Sequence, residues 1–302
     1  MNKFQRSWAL MKSSLSVIGR NKELLVFPIV VFSCTVAIAL FFLAPPLLRP
    51  TGHPYTSGEH WQAIGHSLFK TTDNNSHVVF TPAAVAYMTL LYFVSMFIAT
   101  FCNVAFYHEI MTALSGQPVS IVRGLKFAST RLSSIFIWTL FAGLVGLLIK
   151  TIEERMEIVG QIIGRIVGIA WSVAAVFAVP VIVRQESTMN PLAILRSSAG
   201  ALKRTWGEAL IGYAGLSFAN GIIAVMTAVV TIGSIMLSSA LHTYLFALMI
   251  IPTWFLLLFA WTYLTSVAGH VYRGALYLYA SEGIVPAPYD QDMLNMAWKF
   301  NK

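Results

Sequence analysis

The polar and apolar positions of this chain are segregated on a scale that no soluble core requires. From residue 209 to residue 272 there is no Asp, Glu, Lys or Arg, a tract of 64 residues. A helix rising about 1.5 Å per residue crosses about 30 Å of hydrocarbon with about 20 apolar residues. The tract therefore predicts two membrane spans broken near Ser238-Ser239. The same criterion along the whole chain gives six spans, at about 24–44, 80–107, 132–149, 166–183, 209–237 and 241–272. The third and fourth hold only 18 residues each, so their flanks must extend or snorkel. The expectation is an all-α membrane protein with one membrane domain over 1–302, an outer loop at 45–79 and a cytoplasmic tail at 281–302.

The polar stretches between spans carry a pattern of their own. Ahead of the first span, Phe4, Trp8, Met11, Leu15 and Ile18 share one helical face, opposite Lys3, Arg6, Lys12 and Ser13. Ahead of the fifth, Leu192, Leu195, Ala199, Leu202 and Trp206 lie opposite Arg196, Ser197, Lys203 and Arg204. The stretch ahead of the third is weaker, with Val122, Leu125, Ala128 and Leu132 opposite Arg123, Lys126 and Arg131. Ser13-Ser14, Ser133-Ser134 and Ser197-Ser198 fall at similar places, and residues 20–23 and 203–208 read as similar polar breaks. The pattern predicts one unit used three times, a basic interfacial amphipathic helix (3–20 in the first) followed by a transmembrane hairpin. The alternative is three unrelated basic loops that only set orientation. Residues 289–302, with Met293, Leu294, Ala297 and Trp298, read as a fourth surface helix.

Composition agrees with a membrane class: 57% hydrophobic, mean hydropathy +0.71, and 11% charged, against roughly 25% in soluble domains. The net charge of +8 would suggest nucleic acid in a soluble protein. Here it predicts Lys and Arg held against anionic lipid headgroups at the cytoplasmic face, and no nucleic-acid partner. With the N-terminus inside, 15 of the 20 basic residues fall on cytoplasmic segments, and Arg49, Lys70, Lys150, Arg155 and Arg165 fall outside. Both termini are therefore expected in the cytoplasm. The first apolar segment starts at Leu24, is too long for a signal peptide's apolar region and lacks a small-residue cleavage site, so no cleavable leader is predicted. Cys34 and Cys102 both fall within spans and read as small hydrophobes.

Several boundary motifs resemble a known family. Lys22-Glu23-Leu24-Leu25-Val26-Phe27-Pro28 follows the stretch containing Ser7-Trp8, and Trp171-Ser172 lies shortly before Val179-Pro180-Val181-Ile182-Val183. Arg204-Thr205-Trp206-Gly207-Glu208-Ala209 opens the fifth span, and Ala275-Leu276-Tyr277 with Tyr279-Ala280 precedes Pro286. Together they resemble an uncharacterised family of prokaryotic polytopic membrane proteins, a domain of unknown function. The resemblance implies six spans in a prokaryotic inner membrane and carries no activity or cofactor.

Motifs for chemistry are missing. His108-Glu109 begins like a zinc-protease helix, but Thr112 stands where the second His is needed. There is no nucleophile elbow, no GxGxxG and no phosphate loop. Asp73, Asp290 and Asp292 all lie outside the spans, which excludes a paired intramembrane aspartate mechanism. His53, His60, His66 and His77 share the outer loop with Glu59 and Asp73 at spacings that match no standard metal pattern, so solvated histidines are expected and no metal or cofactor site is assigned. The polar residues at depth are Asn103, His108, Glu109, Asn220, His270 and Arg273, each costly unless partnered. Glu109 is expected to pair with Arg273, as a tether or as part of a proton or substrate relay. Gly160, Gly164, Gly168 and Ser172 recur every four residues and form a helix-packing stripe. Pro28, Pro180 and Pro252 predict kinks within spans.

Two functions fit these residues. One is a non-catalytic membrane protein that organises lipid or a membrane partner through its basic segments. The other is a small-molecule or ion transporter with a polar cavity among kinked helices, built on Asn103, Asn220 and Glu109.

Overall fold

The computed structural model describes residues 3–71, 78–155, 158–185 and 190–290, without the side chains at 3–7, 71, 78–79, 155, 158–159, 161, 205–222 and 224. The described chain is helical apart from one short antiparallel pair. In order it runs α1 (Lys3–Arg20), a 3-10 turn (Lys22–Leu25), α2 (Val26–Leu47), α3 (Gly58–Leu68), β1 (Phe69–Thr71), β2 (Val78–Phe80), α4 (Pro82–Leu114), α5 (Ile121–Thr130), α6 (Leu132–Arg155), α7 (Ile158–Ala174), α8 (Ala178–Arg184), α9 (Pro191–Ala240) and α10 (Leu245–Glu282). Among the described residues five helical stretches are long and apolar enough to cross a membrane: Lys22–Leu47, Pro82–Leu114, Leu132–Glu154, Ile162–Arg184 and Leu245–Glu282. The span expected at 209–237 lies on α9, where most side chains are outside the described set; its described end, Val225–Ala240, is apolar.

Local chemistry sets the helix starts. Thr81 caps α4 by accepting the Ala84 N–H ahead of Pro82. Asn190 accepts the N–H groups of Leu192 and Ala193 ahead of Pro191 in α9. Both are a capping side chain followed by Pro at the first helical position, where the missing N–H is no loss. Pro28 and Pro180 likewise fall in the first turns of α2 and α8; Pro252 lies inside α10. The α9–α10 connection turns at His242, whose φ is 49°, with Ser238 Oγ accepting the Ala247 N–H at 2.8 Å. Helices run past the first charge that ends each apolar tract: α4 continues through Glu109, α6 to Arg155 and α10 to Glu282. A charge at a helix end reaches water or a partner without breaking backbone bonds, so charge-free counting draws the ends short.

The buried core is concentrated at one end of the bundle, here called proximal. It joins Val17 and Ile18 of α1, Leu24 and Phe27, the run from Val104 to Leu114, Ile135 and Trp138, the run from Phe177 to Val183, Ile194, and the last turns of α10 from Val267 to Ala280. The opposite, distal halves expose large apolar side chains, among them Phe41, Leu148, Ile166, Met236, Met249 and Leu256. None of the most apolar stretch of α10 is buried. Apolar surface of this extent on helices of this length is what hydrocarbon covers. The fold is that of a multi-pass membrane protein.

Three expectations change here. The amphipathic segments do not lay their whole apolar faces into lipid. Ser14, Val17 and Ile18 of α1, Gly124 and Ala128 of α5, and Ile194, Ala201 and Leu202 of α9 are buried inside the protein, while among the described residues Trp8, Val122, Leu132 and Leu192 stand exposed. The polar break expected at 203–208 is absent, and α9 runs unbroken for 50 residues, whereas the chain does break at Asn21 and Arg131. The outer loop is also a folded cap. His60 at the start of α3 is fully buried, with Nδ1 2.6 Å from Thr51 Oγ1 and no partner for Nε2 among the described residues. Tyr55 and Trp61 pack around its ring. His53 pairs with Glu59 at 3.1 Å, His66 is exposed, and His77 and Asp73 lie outside the described residues. Among the described residues no three His, Cys, Asp or Glu side chains converge as metal ligands.

Candidate functional site

The chain's polar chemistry gathers at the proximal end, and α4 organises it. After α4, Gly116 turns the chain with φ +76°, and Ser120 caps α5 by accepting the Arg123 N–H. The turn folds α5 back along α4 so closely that a Cβ on Gly124 would lie 2.9 Å from both Ala105 O and Glu109 Cγ. That approach delivers Arg123 to Glu109, whose side chain has no solvent exposure. Arg123 donates from Nε to Oε1 at 2.9 Å and from Nη2 to Oε2 at 2.5 Å. The Ser120 N–H reaches Oε2 at 2.7 Å, and Arg123 Nη2 also reaches Pro118 O at 2.7 Å. One carboxylate thus holds the turn and the helix after it, and its hydrogen bonds make the Arg123 guanidinium hold its proton more tightly than usual. The expected partner Arg273 is displaced by a residue only 14 positions on.

Around this clamp lie further polar contacts between helices. His108 stacks on Phe127 with centroids 3.8 Å apart, and the Arg131 guanidinium stands 5.4 Å from the same ring centroid. On the α10 side, His270 Nδ1 lies 3.1 Å from the Tyr107 hydroxyl, and Arg273 donates to Gly269 O within its own helix at 3.3 Å. Arg184 at the end of α8 makes a two-pronged ion pair with Glu282 at the end of α10. Ser198 bridges the break between α7 and α8, donating to Ala174 O at 2.6 Å and accepting the Phe177 N–H at 3.0 Å. Ser14 of α1 meets the Tyr289 hydroxyl at 2.8 Å. Burial pushes the Tyr289 phenol up to about 12, the Ser14 bond pulling the other way. The second serine of each sequence pair, Ser14, Ser134 and Ser198, is buried.

Of the residues singled out from sequence, His108 and Glu109 sit side by side with α5, while His270 meets Tyr107 and Arg273 bonds within its own helix. Asn103 is half-buried on α4; the side chain of Asn220 lies outside the described set. The glycine stripe faces α6: a Cβ on Gly164 would collide with Glu153 Cγ, and one on Gly168 would touch Ile149. Gly160 is buried and Ser172 exposed. Arg123, Ser120, Arg184, Glu282 and Tyr289 were missed. The signal available for Arg123 was the short Gly116–Ser120 turn, which places residues a few positions either side of it together.

The architecture set by α4 to α10 is the segment shared with known sequences. The chain belongs to a family of unknown function (DUF6159), matched over residues 82–286. The match covers the clamp, the α7–α8 break and the α8–α10 ion pair, and begins after the folded cap. Comparison with curated proteins and with solved structures gave no match.

Proposed function

We propose that this protein is a non-catalytic component of a prokaryotic cell membrane that gathers anionic lipid at the cytoplasmic leaflet. The proximal end is the cytoplasmic one in this reading, which follows from the 15-to-5 division of basic residues. The observation that carries it is the exposed surface of the three amphipathic segments. Docking them on the bundle through their small and apolar faces turns Lys12, Arg20, Lys126, Arg196, Lys203 and Arg204 outward, with Trp8, Val122 and Leu192 exposed among them. Basic residues interleaved with single exposed hydrophobics suit the headgroup level, where each Lys or Arg adds about 1 kcal/mol on anionic lipid.

A relay through Glu109 fits less well, because both carboxylate oxygens are already taken up by Arg123 and Ser120. The test is lipid selectivity. Spin-labelled phosphatidylglycerol is expected to be enriched over phosphatidylcholine in the shell around the reconstituted protein, and the variant K12Q/K126Q/R196Q/K203Q is expected to abolish the preference. Equal partition of the two lipids around the unaltered protein overturns the reading.

A further inference from the structure

The cap between α2 and α4 exposes aromatic rings in pairs. Tyr55 and Trp61, 53% and 49% exposed, stand edge-on to the buried His60 ring, with centroids 4.5 and 5.2 Å from it. Phe69 and Phe80, opposite one another in the β1–β2 register, have ring centroids 4.8 Å apart and are also exposed. Lone hydrophobics on a surface are ordinary, whereas paired rings form a patch that seeks cover. The Trp61 indole N–H donates to Tyr55 O at 3.0 Å, and the Tyr55 hydroxyl donates to Leu48 O at 3.1 Å. An indole has no second polar group, so Trp61 presents only carbon to its surroundings. Both pairs are stapled at the level where the helices end. Leu48 directly follows α2, and ahead of α4 the Thr81 N–H and hydroxyl donate to Leu68 O at 2.9 Å and Ser67 O at 3.2 Å. Exposed Leu47 and Leu48 at the end of α2, and exposed Val85 and Met88 in the first turns of α4, continue this surface into the faces that hydrocarbon covers. The helix between is sided to match. At about 3.6 residues per turn, the buried His60 and Ile64 of α3 face inward and Trp61, Gly65 and Leu68 fall on one flank; Glu59, Gln62 and His66, all exposed, fall on the other.

We propose that the cap is an interfacial anchor whose partner is the lipid surface. In this arrangement α3 lies along the bilayer at the distal end, with its Trp61 flank and the Phe69–Phe80 pair at the boundary between headgroups and acyl chains. The Glu59–His66 flank faces water. Rings with an apolar body and a satisfied or wet polar tip collect at this depth, and a helix with one apolar and one polar flank lies in the same plane. The buried His60 acquires a role as the post against which Tyr55 and Trp61 are set. Because α2 leaves the proximal core and α4 returns to it, the anchor belongs to the opposite end of the molecule from the basic segments. It requires no lipid charge and holds whichever leaflet the distal end occupies, so its failure and that of the anionic-lipid reading are separate results.

The full chain, carrying Cys34→Ala and Cys102→Ala, is reconstituted in phosphatidylcholine nanodiscs with one nitroxide label on the cap. Gly65→Cys places the label on the Trp61 flank, where a side chain has open space, and Gln62→Cys places it on the opposite flank. Collisions are measured with oxygen, which concentrates in hydrocarbon, and with a water-soluble nickel chelate. The label at 65 is expected to favour oxygen and the label at 62 to favour nickel. Phe80→Cys, expected to favour oxygen, gives a second reading from β2 that does not depend on how α3 tolerates a label. Adding Trp61→Ser and Phe69→Ser is expected to return the label at 65 to the aqueous pattern. Nickel access at 65 and 80 equal to that at 62 overturns the anchor. Shielding of 65 and 80 from both reagents marks protein cover and overturns lipid as the partner. A label at 65 that keeps its oxygen preference after both serine substitutions overturns the rings as what holds the cap down.

Discussion

Glu109→Gln tests whether one carboxylate holds α5 and its turn against the bundle. The substitution keeps the length of the side chain but removes its charge and puts an amide N–H₂ where a carboxylate oxygen had accepted from Arg123 or Ser120. Three donors converge on the native carboxylate, the Ser120 N–H and two nitrogens of Arg123. Breaking a fully buried pair costs about 3–5 kcal/mol. Glu109 has no exposure while the Arg123 side chain is 42% exposed, so water rehydrates the abandoned guanidinium and the expected cost is about 2–3 kcal/mol. Arg123→Gln strands the carboxylate, which has no water to return to, and is expected to cost more, about 3–5 kcal/mol. The double variant is expected to fall short of the sum by about 1–3 kcal/mol, the coupling of the pair. Denaturant unfolding in mixed micelles reads all three. A Glu109→Gln protein within about 0.5 kcal/mol of wild type, or strictly additive singles, refutes the clamp.

Other positions give independent checks. Gly124→Ala places a methyl 2.9 Å from the backbone oxygen of Ala105, which cannot move aside, and is expected to destabilise by about 1–3 kcal/mol; Gly200→Ala, on α9 with open space around it, is expected to stabilise by about 0.5–1 kcal/mol in the same unfolding assay. Ser198→Ala leaves the Phe177 N–H and Ala174 C=O without their shared hydroxyl and is expected to cost about 1–3 kcal/mol, with faster amide exchange at Phe177. Tyr289 keeps its proton up to about pH 12 in the folded chain against about 10 when unfolded. Its contribution is therefore complete below pH 10 and fades as pH rises towards 12, up to about 2–3 kcal/mol. Tyr289→Phe is expected to flatten the unfolding profile over that window, and a wild-type slope retained in the variant contradicts the assignment.

Membrane character was legible because burying charge in hydrocarbon is so unfavourable that a bilayer keeps a tract as long as 209–272 free of it, a demand no soluble core makes. The ends of helices were not, since Lys150, Glu153 and Glu282 sit on helical backbone and composition alone does not separate a helix from its apolar portion. Glu109 stood out as the carboxylate inside a predicted helix at the end of the second span, yet its partner depended on which way α5 folds, information carried by Gly116, Ser120 and the missing Cβ of Gly124 rather than by charge. The amphipathic faces of α1 and α5 were visible as period-3.6 patterns, but a protein neighbour and a lipid headgroup select the same pattern. His60 was missed because a histidine between two polar segments gives no sign that Tyr55 and Trp61 will enclose it.

With its packing gathered at the proximal end, the molecule resembles a sheaf bound at the base. The distal halves are joined pairwise, as where the Tyr87 hydroxyl donates to Phe42 O and Trp254 Nε1 donates to Thr227 Oγ1, outside the shared core of the proximal end, so the thickness and lateral pressure of the host bilayer are expected to set how far the pairs spread. Spin-label distances between the α9–α10 turn and the cap formed by α3 are expected to shift from thin to thick bilayers, while distances across the Glu109–Arg123 clamp stay constant. In that respect the distal end gauges the membrane and the proximal end provides the fixed reference.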